Sequence, residues 1–307
     1  MNFGDLVWMN NKIVGYEEAK VPIATAGLQY GLAIFENIRA YPKNENVYMF
    51  RLEEHMNRLF ESAKVYGMKI PYTKEEISEG VKEIIKANNL HAECQIRIVV
   101  YKGALPKFGL RQSLDVPVEI SIITSPSQSS IGTKEFEKGK SALVSSWRRI
   151  SPDSMPPLAK CVANYANGAL GLMEARQKGF DYVIFLDTRG FVSEGSGQNI
   201  FVVKGEELAT PPECASILMG ITRDTILKLA ADLKNKASEK DLSKSQLYTA
   251  DEVFFCGTAA EIVPVVDVDG INISETAGPL TREIAFLYKD LVAGNLLKYR
   301  NWLTSVY

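Results

Sequence analysis

Histidine is scarce in this 307-residue chain, at two positions, and the four cysteines (Cys94, Cys161, Cys214, Cys256) are scattered with no CxxC pair. Zinc-ligand spacing is therefore missing, no metal is expected, and a histidine-based triad has little to stand on. Charge of one sign is missing too. The 35 basic residues against 37 acidic ones leave −2, which gives no reason to expect nucleic acid or an anionic membrane as partner. No apolar run approaches the ~20 residues of a membrane span. The start, Met1-Asn2-Phe3-Gly4-Asp5, lacks a charged region followed by an apolar core, so a cytoplasmic address is expected. His55 lies among charged residues in a helical pattern and is expected to be solvated. Cys161 reads better as a small buried thiol than as a redox group. What remains, 46% hydrophobic and 23% charged, is enough for two domains or one large α/β domain with a substantial core.

Along the chain, residues 33–41 and 47–50 are strand-like, with a turn expected at Pro42-Lys43-Asn44. Leu52, Met56, Leu59, Phe60 and Ala63 recur at helical spacing, with Gly67 as the stop. Thr73 and Glu76 form a capping box ahead of Ile77, Val81, Ile84 and Ile85, and Asn88-Asn89 ends that helix. Two β-rich runs follow at 95–101 and 116–124. Residues 125–133 hold few apolar side chains and read equally as an interdomain linker loop or a lid over a cleft. Beyond them come a strand at 142–147, a helix over 165–179, and strands 182–186 and 199–203 joined across Thr188-Arg189-Gly190. A helix over 222–233, a strand at 252–256, a hairpin turn at Asp269-Gly270 and a helix opening near Pro279 complete the pattern. Strands come in pairs and do not alternate with helices, so the expected fold class is α+β, not a doubly wound parallel sheet. The expected domains are 1–124 (small, N-terminal), a linker at 125–136, and 137–307 (large, C-terminal).

Two residues carry the chemistry. Lys160 sits among Ala159, Cys161, Val162 and Ala163, small or apolar neighbours that suit a desolvated amine, whereas a lysine taken at random is a surface charge. Glu194 stands in the glycine-rich stretch Ser193-Glu194-Gly195-Ser196-Gly197-Gln198-Asn199, where backbone can crowd a planar ligand. An amine for an aldehyde and an acid for a pyridine nitrogen are what pyridoxal phosphate chemistry requires. Tyr165 is placed to donate to the ring oxygen. Gly220-Ile221-Thr222 opens a helix whose N–H groups and dipole suit a phosphate, although Thr222 alone reads as an ordinary first-turn residue. Gly257-Thr258 follows a strand and offers backbone amides to an anion. Arg58 lies off the apolar face of its helix, either a surface ion pair or a forked phosphate donor.

In this order the motifs resemble the branched-chain aminotransferases of the class IV pyridoxal phosphate family. The pieces are Leu28-Gln29-Tyr30-Gly31, Phe35-Glu36-Asn37-Ile38-Arg39-Ala40-Tyr41, Glu54-His55-Met56-Asn57-Arg58-Leu59, Ala159-Lys160 with Asn164-Tyr165, the 193–203 block, Gly220-Ile221-Thr222-Arg223-Asp224 and Cys256-Gly257-Thr258-Ala259-Ala260-Glu261-Ile262. The resemblance implies a two-domain fold type IV enzyme with a Schiff base on Lys160, Glu194 on the pyridine nitrogen and Tyr165 on the ring oxygen. Arg58, Gly220, Ile221, Thr222, Gly257 and Thr258 would hold the phosphate. The N–H groups of Thr258 and Ala259 would receive the substrate carboxylate. Tyr30, Phe35 and Trp147 would wall an apolar pocket, with Arg39, Gln95 and Arg97 also counted at the substrate and Arg97 receiving glutamate's side chain. A homo-oligomer is implied, with Tyr30 reaching in from a partner.

The expected reaction is transfer of the amino group of L-leucine, isoleucine or valine to 2-oxoglutarate. Two positions depart from the family pattern: Gln95-Ile96-Arg97 stands where Tyr-x-Arg is usual, and Asn37 where glycine is usual. They keep alternatives of the same fold in play: a D-amino acid or (R)-amine aminotransferase, or an aminodeoxychorismate lyase. A cofactor-binding protein without turnover would need a lost catalytic group, and Lys160, Glu194 and Tyr165 are all present.

Overall fold

The computed structural model describes residues 3–307, which divide into two compact units. One takes the chain up to Gln128 together with Ala159–Ala163 and Val292–Tyr307; the other takes Ser129–Leu158 and Asn164–Leu291. In chain order the elements begin with β1 (Leu6–Met9), β2 (Lys12–Gly15), α1 (Ala26–Tyr30), β3 (Ala33–Lys43), β4 (Asn46–Phe50) and α2 (Leu52–Val65). Next come α3 (Lys74–Ala87), β5 (Cys94–Lys102), β6 (Val118–Pro126), α4 (Lys134–Lys138), β7 (Lys140–Arg148), α5 (Asn164–Gln177) and β8 (Tyr182–Leu186). Then follow β9 (Asn199–Lys204), β10 (Glu207–Thr210), α6 (Ile221–Asp232), β11 (Lys236–Glu239) and α7 (Lys244–Tyr248). The last are β12 (Glu252–Gly257), β13 (Glu261–Val268), β14 (Ile271–Asn272), α8 (Pro279–Val292) and β15 (Leu303–Ser305).

The first unit is built on an antiparallel sheet of order β15-β4-β3-β5-β6-β1-β2. Period-two alternation sends Ile34, Ile38 and Ala40 of β3, Ile96, Ile98 and Val100 of β5, and Ile120 and Ile122 of β6 to one buried face. On that face lie Met56, Leu59 and Ala63 of α2 and Ile77, Val81, Ile84 and Ile85 of α3. Each fully buried aliphatic side chain here contributes about 1.5–3 kcal/mol from removal of apolar surface from water. The Thr73–Glu76 capping box starts α3 as its sequence predicts.

Two expectations change and one hairpin is added. The β3–β4 turn is the residue pair Asn44-Glu45 and not Pro42-Lys43-Asn44, because Pro42 and Lys43 still pair with Val47 and Asn46 while Asn44 takes the left-handed φ of 55°. The β1–β2 hairpin, not anticipated, turns on Asn10-Asn11, both at positive φ, a signal the sequence does carry. Val292–Tyr307 belongs with the first unit and not with the second, since β15 pairs antiparallel with β4.

The second unit carries a mixed sheet of order β11-β10-β9-β12-β13-β7-β8, with β14 beside β13. Pairings β10–β11, β13–β7 and β7–β8 are parallel and the others antiparallel. Strands β8 and β9 therefore form no hairpin: they are four strands apart in the order, and 188–190 begins a longer excursion in which Val192 bridges back to Leu186. Val183 and Phe185 pack with Leu143 and Ala175 on one side; Ile184, Ile200, Val202, Val253 and Phe255 lie in the main core.

Candidate active site

In the first unit, β4 covers β3 only from Ala40 to Lys43, so the edge at 33–36 is open. Residues Ala159–Ala163 fill it. The N–H of Phe35 donates to Lys160 O (3.0 Å) and that of Val162 to Ala33 O (2.8 Å). The Lys160 N–H donates to Ser62 Oγ on α2, 3.0 Å away. The lysine backbone is thus held by a strand and a helix at once, and its Nζ stands 4.9 Å from the centroid of the Phe35 ring. Gly31, left-handed at φ 68°, ends α1 where a Cβ would come within 3.1 Å of Ala163, so glycine admits this segment.

The Arg97 guanidinium lies 4.6 Å from the same Phe35 ring. Asn37 pairs with Arg97 in the β3–β5 register, and its Nδ2 donates to Gln95 Oε1 at 3.1 Å. The two departures from the family pattern therefore bind each other. Arg39, nearly fully buried, pairs with Glu93 at 2.5 Å. Tyr30 ends α1, partly exposed, and its hydroxyl accepts from the Gly109 N–H at 3.2 Å.

The opposite face of β3 holds a group that the sequence reading passed over. Glu36, with no exposure, sits between Ile34 and Ile38. Its Oε1 accepts from Arg58 Nε at 2.6 Å and its Oε2 from Arg58 Nη2 at 2.9 Å. His55 Nδ1 lies 2.7 Å from the same Oε2. Burial opposes ionisation of Glu36, but the Arg58 guanidinium and His55 outweigh it and hold the carboxyl well below the usual carboxylate range. Burial likewise pushes the His55 imidazole down, against the pull of Glu36. A neutral ring beside an anionic acceptor places its proton on Nδ1. The expectation of a solvated His55 fails because positions 55, 58 and 62 share one face of α2, and that face is turned to the sheet. Arg58 is likewise buried, with two of its five donors committed to Glu36.

The second unit gathers the remaining residues. Glu194 is buried, with Oε1 accepting from Arg149 Nε (2.9 Å) and Nη2 (2.8 Å) and Oε2 accepting from Asn199 Nδ2 and the Leu218 N–H, both at 3.1 Å. Asn199 also donates to Leu218 O at 2.8 Å. Two residues further on, Gly220 caps α6 without a side-chain hydrogen bond, and a Cβ there would stand 2.0 Å from Asn199 Oδ1. The acid and the N-terminus of α6, with Ile221 and Thr222 in its first turn, are thus one structure joined by Asn199 and Leu218. A Cβ on Gly197 would sit 3.3 Å from the Tyr165 ring, and one on Gly257 3.5 Å from Gly197 O. Thr258 and Ala259 occupy the turn between β12 and β13. Trp147, half exposed, lies near the end of β7.

Arg149 and Asn199 were not singled out because they reach Glu194 only in the folded chain, where they also bind Asn167 Oδ1 and Leu218 O; a second arginine directly after an apolar strand is the one signal Arg149 offers. The buried Cys256 thiol is pushed up by desolvation, and Cys94 up to about 12, which suits packing and not redox chemistry. The donor set fits pyridoxal phosphate. Within the second unit the Glu194 carboxylate, the Tyr165 phenol, close-packed glycines and an uncapped helix start suit its ring and phosphate; within the first, the Lys160 backbone is clamped by a strand and a helix.

Comparison with known proteins agrees. The family model of amino-transferase class IV matches residues 33–268. The branched-chain-amino-acid aminotransferase of Escherichia coli (strain K12) is 39% identical over 303 residues, 98% of this chain and 97% of that protein. A crystal structure of the branched-chain aminotransferase of Thermoproteus uzoniensis with norvaline superposes with TM-score 0.93 at 41% identity, covering 99% of this chain and 100% of that one. A T.th. branched-chain amino acid aminotransferase complexed with N-(5'-phosphopyridoxyl)-L-glutamate gives TM-score 0.93 at 38% identity, covering 99% of each chain. The fold and the site define a class IV aminotransferase of fold type IV. Within that class the chain belongs to the branched-chain amino acid aminotransferase family.

Proposed function

We propose that this protein uses pyridoxal phosphate, held through Lys160, to move the amino group of L-leucine, L-isoleucine or L-valine to 2-oxoglutarate. The observation that carries the reading is the buried Glu194, its carboxylate pinned by Arg149, Asn199 and the Leu218 N–H within glycine turns. When bound, the cofactor supplies an electron sink for the pair left on the substrate α-carbon. Glu194 would hold a proton at the ring nitrogen, its carboxylate oriented by the Arg149 fork. Tyr165 orients the ring through its hydroxyl. Arg58, the first-turn N–H groups of Ile221 and Thr222, and Thr258 bind the phosphate. The N–H groups of Thr258 and Ala259 bind the substrate carboxylate. Lys160 Nζ would hold the cofactor's aldehyde and, with substrate bound, would move the proton at the α-carbon. Phe35 supplies an apolar contact for a branched side chain, while Arg97 supplies the cation for the distal carboxylate of 2-oxoglutarate. The norvaline and phosphopyridoxyl-glutamate complexes of the relatives support both halves of this substrate pair.

A homo-oligomer is part of the same reading. The loop that Gly109 ties to Tyr30 leaves Phe108 and Leu110 exposed, with Ile23 and Leu28 also exposed in this unit; such apolar surface favours a second copy. A monomer mass in light scattering would remove this element.

The test of the reaction is the visible spectrum of the purified protein with pyridoxal phosphate, challenged separately with L-leucine, D-alanine and (R)-1-phenylethylamine. Loss of the yellow band with L-leucine alone is expected, and Lys160→Ala is expected to abolish transamination. Bleaching by D-alanine or the amine in place of L-leucine, or full activity in Lys160→Ala, overturns the assignment.

A further inference from the structure

The turn between β12 and β13 is short: Gly257 pairs with Glu261, so only Thr258, Ala259 and Ala260 span it. The residue that leaves it, Glu261, has φ 55°, a left-handed conformation that favours glycine. It is also almost wholly buried. A glutamate that is both strained in backbone and buried in side chain is doubly disfavoured unless its carboxylate does something a glycine cannot. In this structure it accepts from the Ser129 hydroxyl. Ser129 Oγ in turn accepts from the Ile131 N–H at 3.3 Å. Ile131 is buried, and its carbonyl accepts from Lys289 Nζ on α8 at 3.2 Å. Residues 129–131 are thus an anchored strap, and Glu261 joins the turn to it.

We propose that Glu261 is a positioning residue, whose buried carboxylate ties the turn carrying Thr258 and Ala259 to the Ser129–Ile131 strap and so aims the turn's N–H groups at the α-carboxylate of the substrate. The inference rests on the assignment of those N–H groups to the substrate carboxylate made above. Peptide N–H groups bind an anion well only when their directions are set in advance, because a turn free to rotate must be ordered at each binding event. The strain at Glu261 is the trace of that fixing: the backbone is held where its anchored side chain requires it. Residues 129–131, which by composition alone read equally as linker or lid, are the post to which the turn is tied.

The experiment uses the full-length protein loaded with pyridoxal phosphate, as wild type, Glu261→Gly, Glu261→Gln and Ser129→Ala. Glycine relieves the backbone strain and deletes the anchor; glutamine keeps an acceptor for Ser129; Ser129→Ala leaves the turn's own sequence untouched. The readouts are the Kd of 4-methylpentanoate, an unreactive carboxylate, and KM and kcat for L-leucine and its oxo acid. Glu261→Gly and Ser129→Ala are expected to raise that Kd, and KM for both substrates together, by roughly tenfold with kcat within about twofold, the loss of about one hydrogen bond's worth of orientation. Glu261→Gln is expected to stay within about threefold of wild type. Thermal midpoints near wild type exclude general unfolding. If Glu261→Gly, freed of its strain, binds 4-methylpentanoate as wild type does, or if glutamine fails as badly as glycine, the proposal is overturned. A wild-type protein that shows no yellow band and no turnover would instead defeat the underlying reading of the reaction, so the two failures are told apart.

Discussion

Two buried glutamates, one in each unit, solve the same problem in different ways. Glu36 is closed in by side chains alone, Arg58 and His55, both from one face of α2. Glu194 draws its donors from three stretches of chain: Arg149 just past β7, Asn199 at the start of β9, and the backbone of Leu218. Around Glu36 lie Ile34, Ile38 and the helical core; around Glu194 lie glycines whose absent side chains admit close packing, a Cβ on Gly195 coming within 2.9 Å of Gln198 Oε1 and one on Gly220 within 2.0 Å of Asn199 Oδ1. Either carboxylate alone would be costly to bury, and in both an arginine fork offsets the cost. The difference teaches that a buried ion pair is not a site in itself. The first is a frame that fixes α2 against β3 and, through Ser62 on the same helix face, the backbone of Lys160. The second ties three stretches of the second unit, among them the approach to α6, to one buried carboxylate.

The sharpest break of this comparison is Glu36→Ala. It removes the anion that two donors of the buried Arg58 share and is expected to cost about 3–5 kcal/mol in unfolding free energy of the cofactor-free protein, measured by urea titration. Replacing the pair by apolar side chains of similar volume, Glu36→Leu with Arg58→Met, is expected to recover most of that stability while weakening affinity for pyridoxal phosphate. If the double variant is no more stable than Glu36→Ala, the frame is more than an ion pair.

Glu194→Gln makes the complementary cut. Glutamine keeps one acceptor for Arg149 but leaves that buried guanidinium without an anion and sets an NH2 against Asn199 Nδ2 and the Leu218 N–H, so stability is expected to fall by about 3 kcal/mol, whereas turnover with L-leucine is expected to fall roughly 100-fold because the ring nitrogen loses its anionic partner. A variant with unchanged turnover would reassign the acid.

The smallest effect expected is the response to pH. Both groups of the first unit have folded values below their ordinary ones, so on acidification the unfolded chain takes up protons that the folded chain refuses, and stability falls. For His55 the loss starts as pH drops through about 6.5, and for Glu36 it continues below the ordinary carboxylate value of about 4.3. Thermal midpoints at pH 7.5 and 5.5 should therefore differ for wild type and differ less for His55→Asn. An unchanged difference in that variant would show that His55 is not the group titrating.

Much of this protein is legible locally. The spacing of Leu52, Met56, Leu59 and Ala63 marks α2, the Thr73–Glu76 box marks the start of α3, and Asp269-Gly270 marks the β13–β14 hairpin. The family is legible too, because Lys160, Glu194, Tyr165 and the glycine turns stand in ordered motifs, and the class IV aminotransferase match over residues 33–268 bears that out. His55 shows the limit. Its neighbours in sequence are charged, yet its neighbours in space are a carboxylate and a sheet, and periodicity reports which residues share a helix face without reporting what that face meets.

By itself, then, the sequence determined the helices and strands whose signals lie within a few residues, the α+β class and the family to which the chain belongs. Only the tertiary structure decided that Ala159–Ala163 and Val292–Tyr307 join the first unit, that Asn37 binds Gln95, that Glu36 gathers Arg58 and His55, and that Glu261 reaches Ser129. The physical reason is range. Turns, caps and amphipathic faces are settled by contacts within about one helical turn or one hairpin, whereas these pairings join residues that only the closing of sheets and core brings together.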